Sequence, residues 1–371
     1  MTPLRIGVNA LYLIPGGVGG TEIYLRHLLR ALAGIDRENR YFVFTNRETD
    51  AGLVPEQENF TIVPQPVRAS LRPARILWEQ TALPLALTAR QIDVLLNPGF
   101  TSPLVCGCPQ VTVFHDLQHK RHPEYFRWLD LPAWRFLLYW SAHLAACVIA
   151  DSEATAADLA RYYRLPRVKI QVVPLGVDAK FFEIGEVRRP GRFLLSVSTL
   201  HPHKNLDRLL RAFHAFHRIR PDFRLVIAGL KGYDAPNIER LRESSQLADA
   251  VELTGWIPRE KLYELYARAD AFLYPSTFEG FGLPVLEAMA AGIPTACSRI
   301  EPLASTAGNA ALLFDPADDA SVLDAMTRLV SDEPLRAELI EAGPVRARQF
   351  SWTTTARLTL ATLVDAAQHA R

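Results

Sequence analysis

Tyr274-Pro-Ser-Thr-Phe-Glu279-Gly-Phe-Gly-Leu-Pro284-Val-Leu-Glu287-Ala-Met-Ala-Ala-Gly292 reads as the end of a strand, a loop and a helix. Pro284 suits a first helical turn, and Gly292 suits the position just past a helix end. Gly280 and Gly282 free the backbone at the helix mouth. The exposed N–H groups of the helix mouth then face a place where a phosphate or sugar oxygen fits. Glu279 stands in the loop and Glu287 about one turn into the helix. Eight positions apart across this bend, both carboxylates are expected to face one crevice. Carboxylates beside an anion site make sense if they accept hydrogen bonds from hydroxyls. That combination points to a sugar nucleotide, a ligand with both phosphate and polyol. The competing reading makes Glu279 a surface loop residue and Glu287 a helix-dipole partner.

Strand and helix patterns alternate on both sides of this segment. Strands are predicted at Phe193–Val197, Arg224–Ala228, Val251–Thr254, Ala271–Tyr274, Thr295–Ala296 and Ala311–Phe314. An earlier set comprises Arg5–Asn9, Tyr41–Phe44, Phe60–Val63, Val94–Leu96, Val111–Phe114, Cys147–Ala150 and Ile170–Val173. Helical spacing of Tyr24, Leu25, Leu28, Leu29 and Leu32 follows Thr21, a candidate N-cap, and Leu206, Leu209, Leu210 and Phe213 repeat the pattern after Asn205. Such alternation implies doubly wound parallel sheets. A polar, turn-rich stretch near Pro174–Gly191 separates two series, each the size of one α/β domain. The expected division is 1–178, 190–350 and a lone helix over 351–371. Ligand is expected between the two domains, at the carboxyl ends of their strands.

Composition narrows the classes. The 371 residues carry 41 Lys and Arg against 40 Asp and Glu, a net charge of +1, which argues against nucleic acid as partner. Apolar residues at 49% and charged residues at 22% describe a globular chain, and four cysteines rule out a disulfide scaffold. Cys106 and Cys108 lack a second pair, so no zinc site is expected, and Cys147 and Cys297 read as small core residues. The start lacks the long apolar region of a signal peptide. Leu131–Ala150 is broken by Arg135 and His143 and reads as helix then strand, so a soluble, cytoplasmic protein is expected.

Three further loops carry candidate chemistry. Pro15-Gly-Gly-Val-Gly-Gly20-Thr-Glu22 follows the first strand, and Gly19 and Gly20 would let a ligand approach the backbone; the alternative is a plain tight turn. Glu22 stands where a dinucleotide fingerprint has its third glycine, which disfavours a nicotinamide oxidoreductase. Val113-Phe-His115-Asp116 ends a strand with a histidine that could exchange a proton or bond a sugar hydroxyl; alternatively it caps the turn through Asp116. His119-Lys-Arg-His122 is a basic cluster, either a solvated loop or a contact for an anionic acceptor. Ser198-Thr199-Leu-His-Pro-His203-Lys204-Asn205 sets a lysine at a helix start, a suitable partner for a diphosphate, with Asn205 a candidate cap. An ordinary exposed lysine is the competing reading.

The ordered set resembles the retaining GT-B glycosyltransferases of family 4. The E-x7-E pattern is met by Glu279 and Glu287. Further matches are Gly16–Gly20, His115-Asp116, Ala150-Asp-Ser152, Val173-Pro-Leu-Gly176-Val-Asp178, Ala228-Gly229, Leu253-Thr-Gly255-Trp256, Ala269-Asp270 through Pro275, and Phe350-Ser-Trp352. The resemblance implies two Rossmann-like domains facing across a cleft, with the last helix crossing back to the first. It implies a nucleotide-diphosphate sugar as donor and neither metal nor tightly bound cofactor. Residue by residue, Glu287 would bond the ribose and Glu279 the donor sugar. The amides of Phe281, Gly282 and Leu283 would support sugar and phosphate, and Lys204 would neutralise the departing diphosphate. Gly19 and Gly20 would approach the phosphates, His115 would lie near the sugar, and the base would sit near Gly229 and Trp256. Many members carry an arginine five residues before the lysine; here Thr199 stands there, and His203 precedes Lys204.

Leu71-Arg-Pro-Ala-Arg75-Ile-Leu-Trp78-Glu-Gln80-Thr-Ala-Leu-Pro84 resembles a stretch in bacterial mannosyl- and rhamnosyltransferases of polysaccharide assembly. It suits either a glycan or lipid-linked anionic acceptor near a membrane face, with peripheral membrane contact, or an ordinary interdomain helix. GDP-mannose is the donor this resemblance favours. The alternatives are a UDP-sugar-dependent glucosyl- or rhamnosyl-type transferase and a non-catalytic nucleotide-sugar-binding protein.

Overall fold

A computed structural model describes residues 3–17, 19–126, 128 and 131–369. Met1, Thr2, Val18 of the glycine loop, Ala370 and Arg371, all used in the sequence reading, lie outside the described residues. The chain forms two units: residues up to Gly176 together with Ser351 onward, and Val177–Phe350.

In the first unit the strands are β1 (Arg5–Asn9), β2 (Arg40–Thr45), β3 (Phe60–Pro64), β4 (Val94–Asn97), β5 (Gln110–Phe114), β6 (Cys147–Ala150) and β7 (Ile170–Val172). They form one sheet in the order β3-β2-β1-β4-β5-β6-β7, paired parallel throughout. The second unit holds β8 (Phe193–Val197), β9 (Arg224–Ala228), β10 (Val251–Gly255), β11 (Ala271–Tyr274), β12 (Thr295–Ser298) and β13 (Leu312–Phe314), ordered β10-β9-β8-β11-β12-β13 and also parallel. All thirteen predicted strands are present. Their near-continuous apolar runs follow from burial on both faces: β4, β5, β11 and β12 are buried at every residue.

The strand order reverses between β1 and β4 in one sheet and between β8 and β11 in the other. Loops leaving the carboxyl ends of such a strand pair diverge to opposite faces and leave a crevice. In the second unit those loops are 198–205 and 275–282, the two segments singled out for chemistry. Fold and candidate site are therefore linked by topology.

Some local expectations are corrected. The first helix spans Gly20–Ile35, with Gly19 at φ +58° in the N-cap position, so Thr21 lies inside its first turn. The carboxylate of Glu22 reaches back to the Gly16 N–H at 2.8 Å and fixes the turn. Asn205 does occupy the N-cap position of helix Leu206–Ile219, but its side chain does not cap; its amide donates to the carbonyls of Pro275 and Pro316 at 3.1 and 2.9 Å. Cys147 is only half-buried, whereas Cys297 is buried. The stretch read as a boundary contains helix Ala179–Glu186, part of the second unit. Segment 71–84 lies in helix Arg72–Ala89, where Arg75 is buried against Glu79 at 3.2 Å and Trp78 Nε1 donates to Gln65. The Arg75 charge is thus satisfied internally.

The last helix, Trp352–His369, packs against helix Gly20–Ile35 in the first unit. Trp352 stacks on His27 with ring centroids 5.0 Å apart, and Thr355 Oγ1 donates to the Pro174 carbonyl at 2.7 Å. Gly176 lets the two chain segments meet: a Cβ there would lie 2.1 Å from the Trp352 nitrogen. Because the obstacle is backbone, no side-chain shift relieves it. Gly176→Ala is expected to cost about 1–3 kcal/mol, read as a lower unfolding midpoint by circular dichroism. An unchanged midpoint would contradict this packing.

Candidate active site

The centre of the second unit's site is an ion pair across the strand-order reversal. Lys204 ends the turn Pro202–Lys204 after β8, and Glu279 lies in the loop after β11. Lys204 Nζ is 2.5 Å from Glu279 Oε1, and it also donates to the Tyr274 hydroxyl at 3.1 Å. The side chains of Lys204 and Glu279 are only 14% and 11% exposed, so the pair is largely withdrawn from water without being sealed. Burial, with Glu279 close by, pushes the Tyr274 phenol well above its ordinary range, so it stays a neutral hydroxyl. The two loops are stitched at one atom. The His203 carbonyl accepts from the Thr277 N–H at 2.7 Å, from Ser276 Oγ at 3.0 Å and from Thr277 Oγ1 at 3.1 Å.

Glu279 leads into helix Leu283–Ala290, whose N-cap Gly282 has φ +98°, a conformation that favours glycine. Phe281 and Gly282 are buried, while Gly280 and Leu283 are half-exposed at the helix mouth. Thr306 Oγ1 donates to the Phe281 carbonyl at 3.1 Å and holds the bend. In the first turn Pro284 has no N–H and the Val285 N–H donates to the Gly282 carbonyl at 3.1 Å, so it is the Leu283 N–H that has no partner within the helix and gives the mouth its positive end near the Lys204 ammonium.

Glu287 departs from the expected single crevice. It is 4% exposed and faces helix Arg259–Arg268. Tyr266 donates to its Oε2 at 3.0 Å, and Arg259 Nη2 lies 3.4 Å from its Oε1. Arg259 also donates through Nε to Tyr263, 3.0 Å away, and Tyr263 in turn donates to Asp178 at 2.5 Å. Burial pushes the Glu287 carboxyl upward, and Arg259 works against that shift. The two acids thus belong to separate networks. The reason is helical phase: one turn into the helix, Glu287 has rotated onto the side packed by its neighbour.

A hollow of about 140 Å³ opens beyond β9 and β10, lined by Leu200, Gly229, Gly255, Lys231, Glu239 and Glu243 among others. That is the scale of an engineered cavity that admits one benzene ring. Gly229 lines it; Trp256 does not, and stands 58% exposed next in the chain to Gly255. Thr199, half-buried at the end of β8, brings no positive charge, and the buried His203 ring stacks on His201 with centroids 5.8 Å apart.

In the first unit, His115 follows β5. Its Nδ1 is 2.6 Å from Asp151 Oδ2 and its Nε2 is 3.0 Å from the Pro98 carbonyl. Both ring nitrogens are engaged, and a doubly protonated ring donates to both partners. Burial opposes that charge, but Asp151 and the Pro98 carbonyl outweigh it and raise the pKa. Neither ring nitrogen is left without a partner in the free chain. Asp116 accepts from the Gln118 N–H at 2.9 Å and closes the following turn. Gly19 and Gly20 border open space, since a Cβ at either would meet nothing within 4 Å. Among the described residues, no three His, Cys, Asp or Glu side chains converge as a metal site requires.

Sequence reasoning missed Asp151, Tyr274, Arg259 and Tyr266 as site partners. Asp151 had a signal: Phe114 pairs with Ala150 across β5 and β6, so the next residues, His115 and Asp151, leave the sheet side by side.

The profile described as Glycosyl transferases group 1 matches residues 178–346, and that described as Glycosyltransferase Family 4 matches residues 18–181. The chain is similar to a D-inositol 3-phosphate glycosyltransferase of Acidothermus cellulolyticus, 30% identical over 98% of this chain and 91% of the relative. It is 29% identical to O-antigen chain mannosyltransferase B of Escherichia coli over 65% of this chain and 66% of that protein. Sucrose-phosphate synthase from Thermosynechococcus elongatus superposes with a TM-score of 0.80 over 99% of this chain and 100% of that one, at 20% identity, and so shares the two-domain Rossmann-like fold. Two profiles that between them span both units, and a relative matched along nearly its whole length, establish that this chain belongs to the group 1, family 4 glycosyltransferases, enzymes of the GT-B fold class.

Proposed function

We propose that the protein transfers a hexose, mannose from GDP-mannose, to a hydroxyl of a glycan or lipid-linked acceptor in cell-surface polysaccharide synthesis. The transfer keeps the anomeric configuration and uses no metal. The observation that carries this reading is the Lys204–Glu279 pair at the mouth of helix Leu283–Ala290. In the free chain each group satisfies the other. A donor offers both a better partner: its diphosphate takes the ammonium, and its sugar hydroxyls donate to the released carboxylate. Tyr274 keeps Nζ in place during the exchange.

The acceptor oxygen attacks the anomeric carbon from the face the diphosphate is leaving. The bond from that carbon to the β-phosphate oxygen breaks through an oxocarbenium-like transition state, and the departing phosphate oxygen takes the acceptor proton. Lys204 and the amides at the helix mouth stabilise charge that grows on the leaving group, which is where electrostatic preorganisation lowers a barrier most. The family resemblance is what assigns Gly19 and Gly20 to the phosphates and His115 to the sugar. His203, beside Lys204, and Thr199 complete the diphosphate loop. Mannose is favoured by the likeness to O-antigen chain mannosyltransferase B. Guanine is favoured by the hollow beside Gly229: its adjacent ring N–H and amino group can both donate to one carboxylate, and Glu243 lines the hollow one turn from Glu239, which pairs with Lys231 at 2.8 Å. Trp256 stands at hand to cover the base. Glu287 retains its assignment to the ribose on the E-x7-E pattern, held rigid by Arg259 and Tyr266.

Lys204→Ala is expected to lower kcat about 10²–10³-fold, measured as release of nucleoside diphosphate with acceptor present; near-normal turnover would remove Lys204 from the reaction. Glu279→Gln is expected to lower kcat yet leave GDP binding equal or tighter by calorimetry, because the competitor for Lys204 is gone. Weaker GDP binding would contradict the exchange. Glu287→Ala removes a buried carboxylate that Tyr266 and Arg259 hold, leaving Arg259 with Asp178 at 3.5 Å, and is expected to cost about 1–3 kcal/mol and to weaken GDP binding. Tyr266→Phe removes one bond to the same carboxylate and should cost about 1 kcal/mol with GDP affinity kept. Equal loss of affinity in both variants would make Glu287 a packing residue only.

A further inference from the structure

Cys106 and Cys108 flank a single glycine in the loop between β4 and β5. Their Sγ atoms are 3.5 Å apart, a thiol–thiol contact and about 1.5 Å longer than a disulfide bond. Both residues are half-buried: one side packs on the cluster of Leu83, Leu87, Ile92 and Leu95, and the rest meets water. The other two cysteines lie elsewhere, Cys147 at the start of β6 and Cys297 buried in β12.

The turn that carries the pair lies between fixed points. Before it, the Leu104 N–H donates to Gln80 Oε1 at 2.8 Å, and the Pro103 carbonyl accepts from Gln110 Nε2 at 2.9 Å. After it, the Pro109 carbonyl accepts from the Leu95 N–H at 3.0 Å. Val105 and Gly107 are exposed, and a Cβ at Gly107 would meet, beyond its chain neighbours, only Thr88 Oγ1 at 3.7 Å. The turn therefore has room to draw the two sulfurs together while the clamps on either side hold. The contact also makes the thiols unequal. A hydrogen bond from Cys108 holds Cys106 below the ordinary thiol range, and the same contact pushes Cys108 up. The attacking species in disulfide exchange is a thiolate, so Cys106 suits the nucleophile and Cys108 the resolving thiol. Among the described residues no third His, Cys, Asp or Glu side chain joins them, so the chemistry of the pair is that of a dithiol.

We propose that Cys106 and Cys108 form a reversible thiol–disulfide site that exchanges with small-molecule disulfides. With glutathione disulfide, the Cys106 thiolate attacks one sulfur and the S–S bond of the reagent breaks. One glutathione leaves and takes the proton that Cys106 lost, while the other stays on Cys106. Cys108 then gives up its proton and attacks the Cys106 sulfur. A bond forms between the two protein sulfurs, and the second glutathione leaves with that proton. The two protein thiols are oxidised and the two glutathione sulfurs are reduced. A ring closed across one residue departs from relaxed disulfide geometry, so the bond is readily reduced again. The site does not rest on the transfer reaction, and it is read with neither donor nor acceptor present.

The test exposes the full chain to buffers of reduced and oxidised glutathione, quenches with acid, alkylates in denaturant and maps the product by mass spectrometry. The oxidising buffer is expected to remove the mass of two hydrogens and to protect Cys106 and Cys108 from alkylation, while Cys297 is still labelled. Excess reduced glutathione is expected to restore both thiols. Cys108→Ser is expected to stop with one glutathione on Cys106. In the reduced, folded protein, iodoacetamide at neutral pH is expected to label Cys106 about tenfold faster than Cys147, or more. The proposal is overturned if both thiols of the wild type stay alkylatable in the oxidising buffer, or if the wild type stops at the glutathione adduct. It is equally overturned if the disulfide joins two chains instead of closing within one, if Cys108→Ser takes up no glutathione, or if Cys106 and Cys147 are labelled at equal rates.

Discussion

A lysine ammonium that is mostly withdrawn from water needs a counter-charge, and Lys204 has Glu279 at 2.5 Å. That pair depends on almost everything else in the second unit. The strand-order reversal between β8 and β11 brings the two loops to one place. The His203 carbonyl, with three donors on it, locks them together, and Asn205 pins the lysine loop to the carbonyls of Pro275 and Pro316. An isolated surface pair of this kind would add little to stability. Here the surroundings keep both charges preorganised, and preorganisation rather than pair strength is what a transferase exploits.

The second acid of the pattern serves differently. Glu287 is held by Arg259 and Tyr266, and through Arg259 and Tyr263 the network extends to Asp178, the N-cap of helix Ala179–Glu186. Helix Leu283–Ala290 is therefore anchored at its buried side by charge as well as by packing. His115 is comparably fixed in the first unit, where Asp151 and the Pro98 carbonyl engage its two ring nitrogens.

The fold was legible because parallel strands buried on both faces leave unmistakable runs such as Val94–Asn97 and Ala271–Tyr274, and because Pro284 and Gly292 mark the ends of their helix. The two loops that meet at the strand-order reversal were legible too, and Lys204 and Glu279 on them do come together. What escaped was pairing between distant segments. Nothing local ties Tyr274 to Lys204, or Arg259 to Glu287, and only strand register links Asp151 to His115. The N-cap at Thr21 escaped because Glu22 folds back on Gly16 and moves the helix start forward. Cys106 and Cys108 are a pair in sequence, but the meeting of their sulfurs is a fact of packing alone.

The central claim is that Lys204 waits on Glu279 for a diphosphate. The most direct measurement is calorimetric: the ratio of GMP to GDP dissociation constants in the wild type and in Lys204→Ala. The account predicts a strong preference for GDP in the wild type that collapses when the ammonium is removed, with GMP affinity little changed. The same preference in both proteins would contradict it.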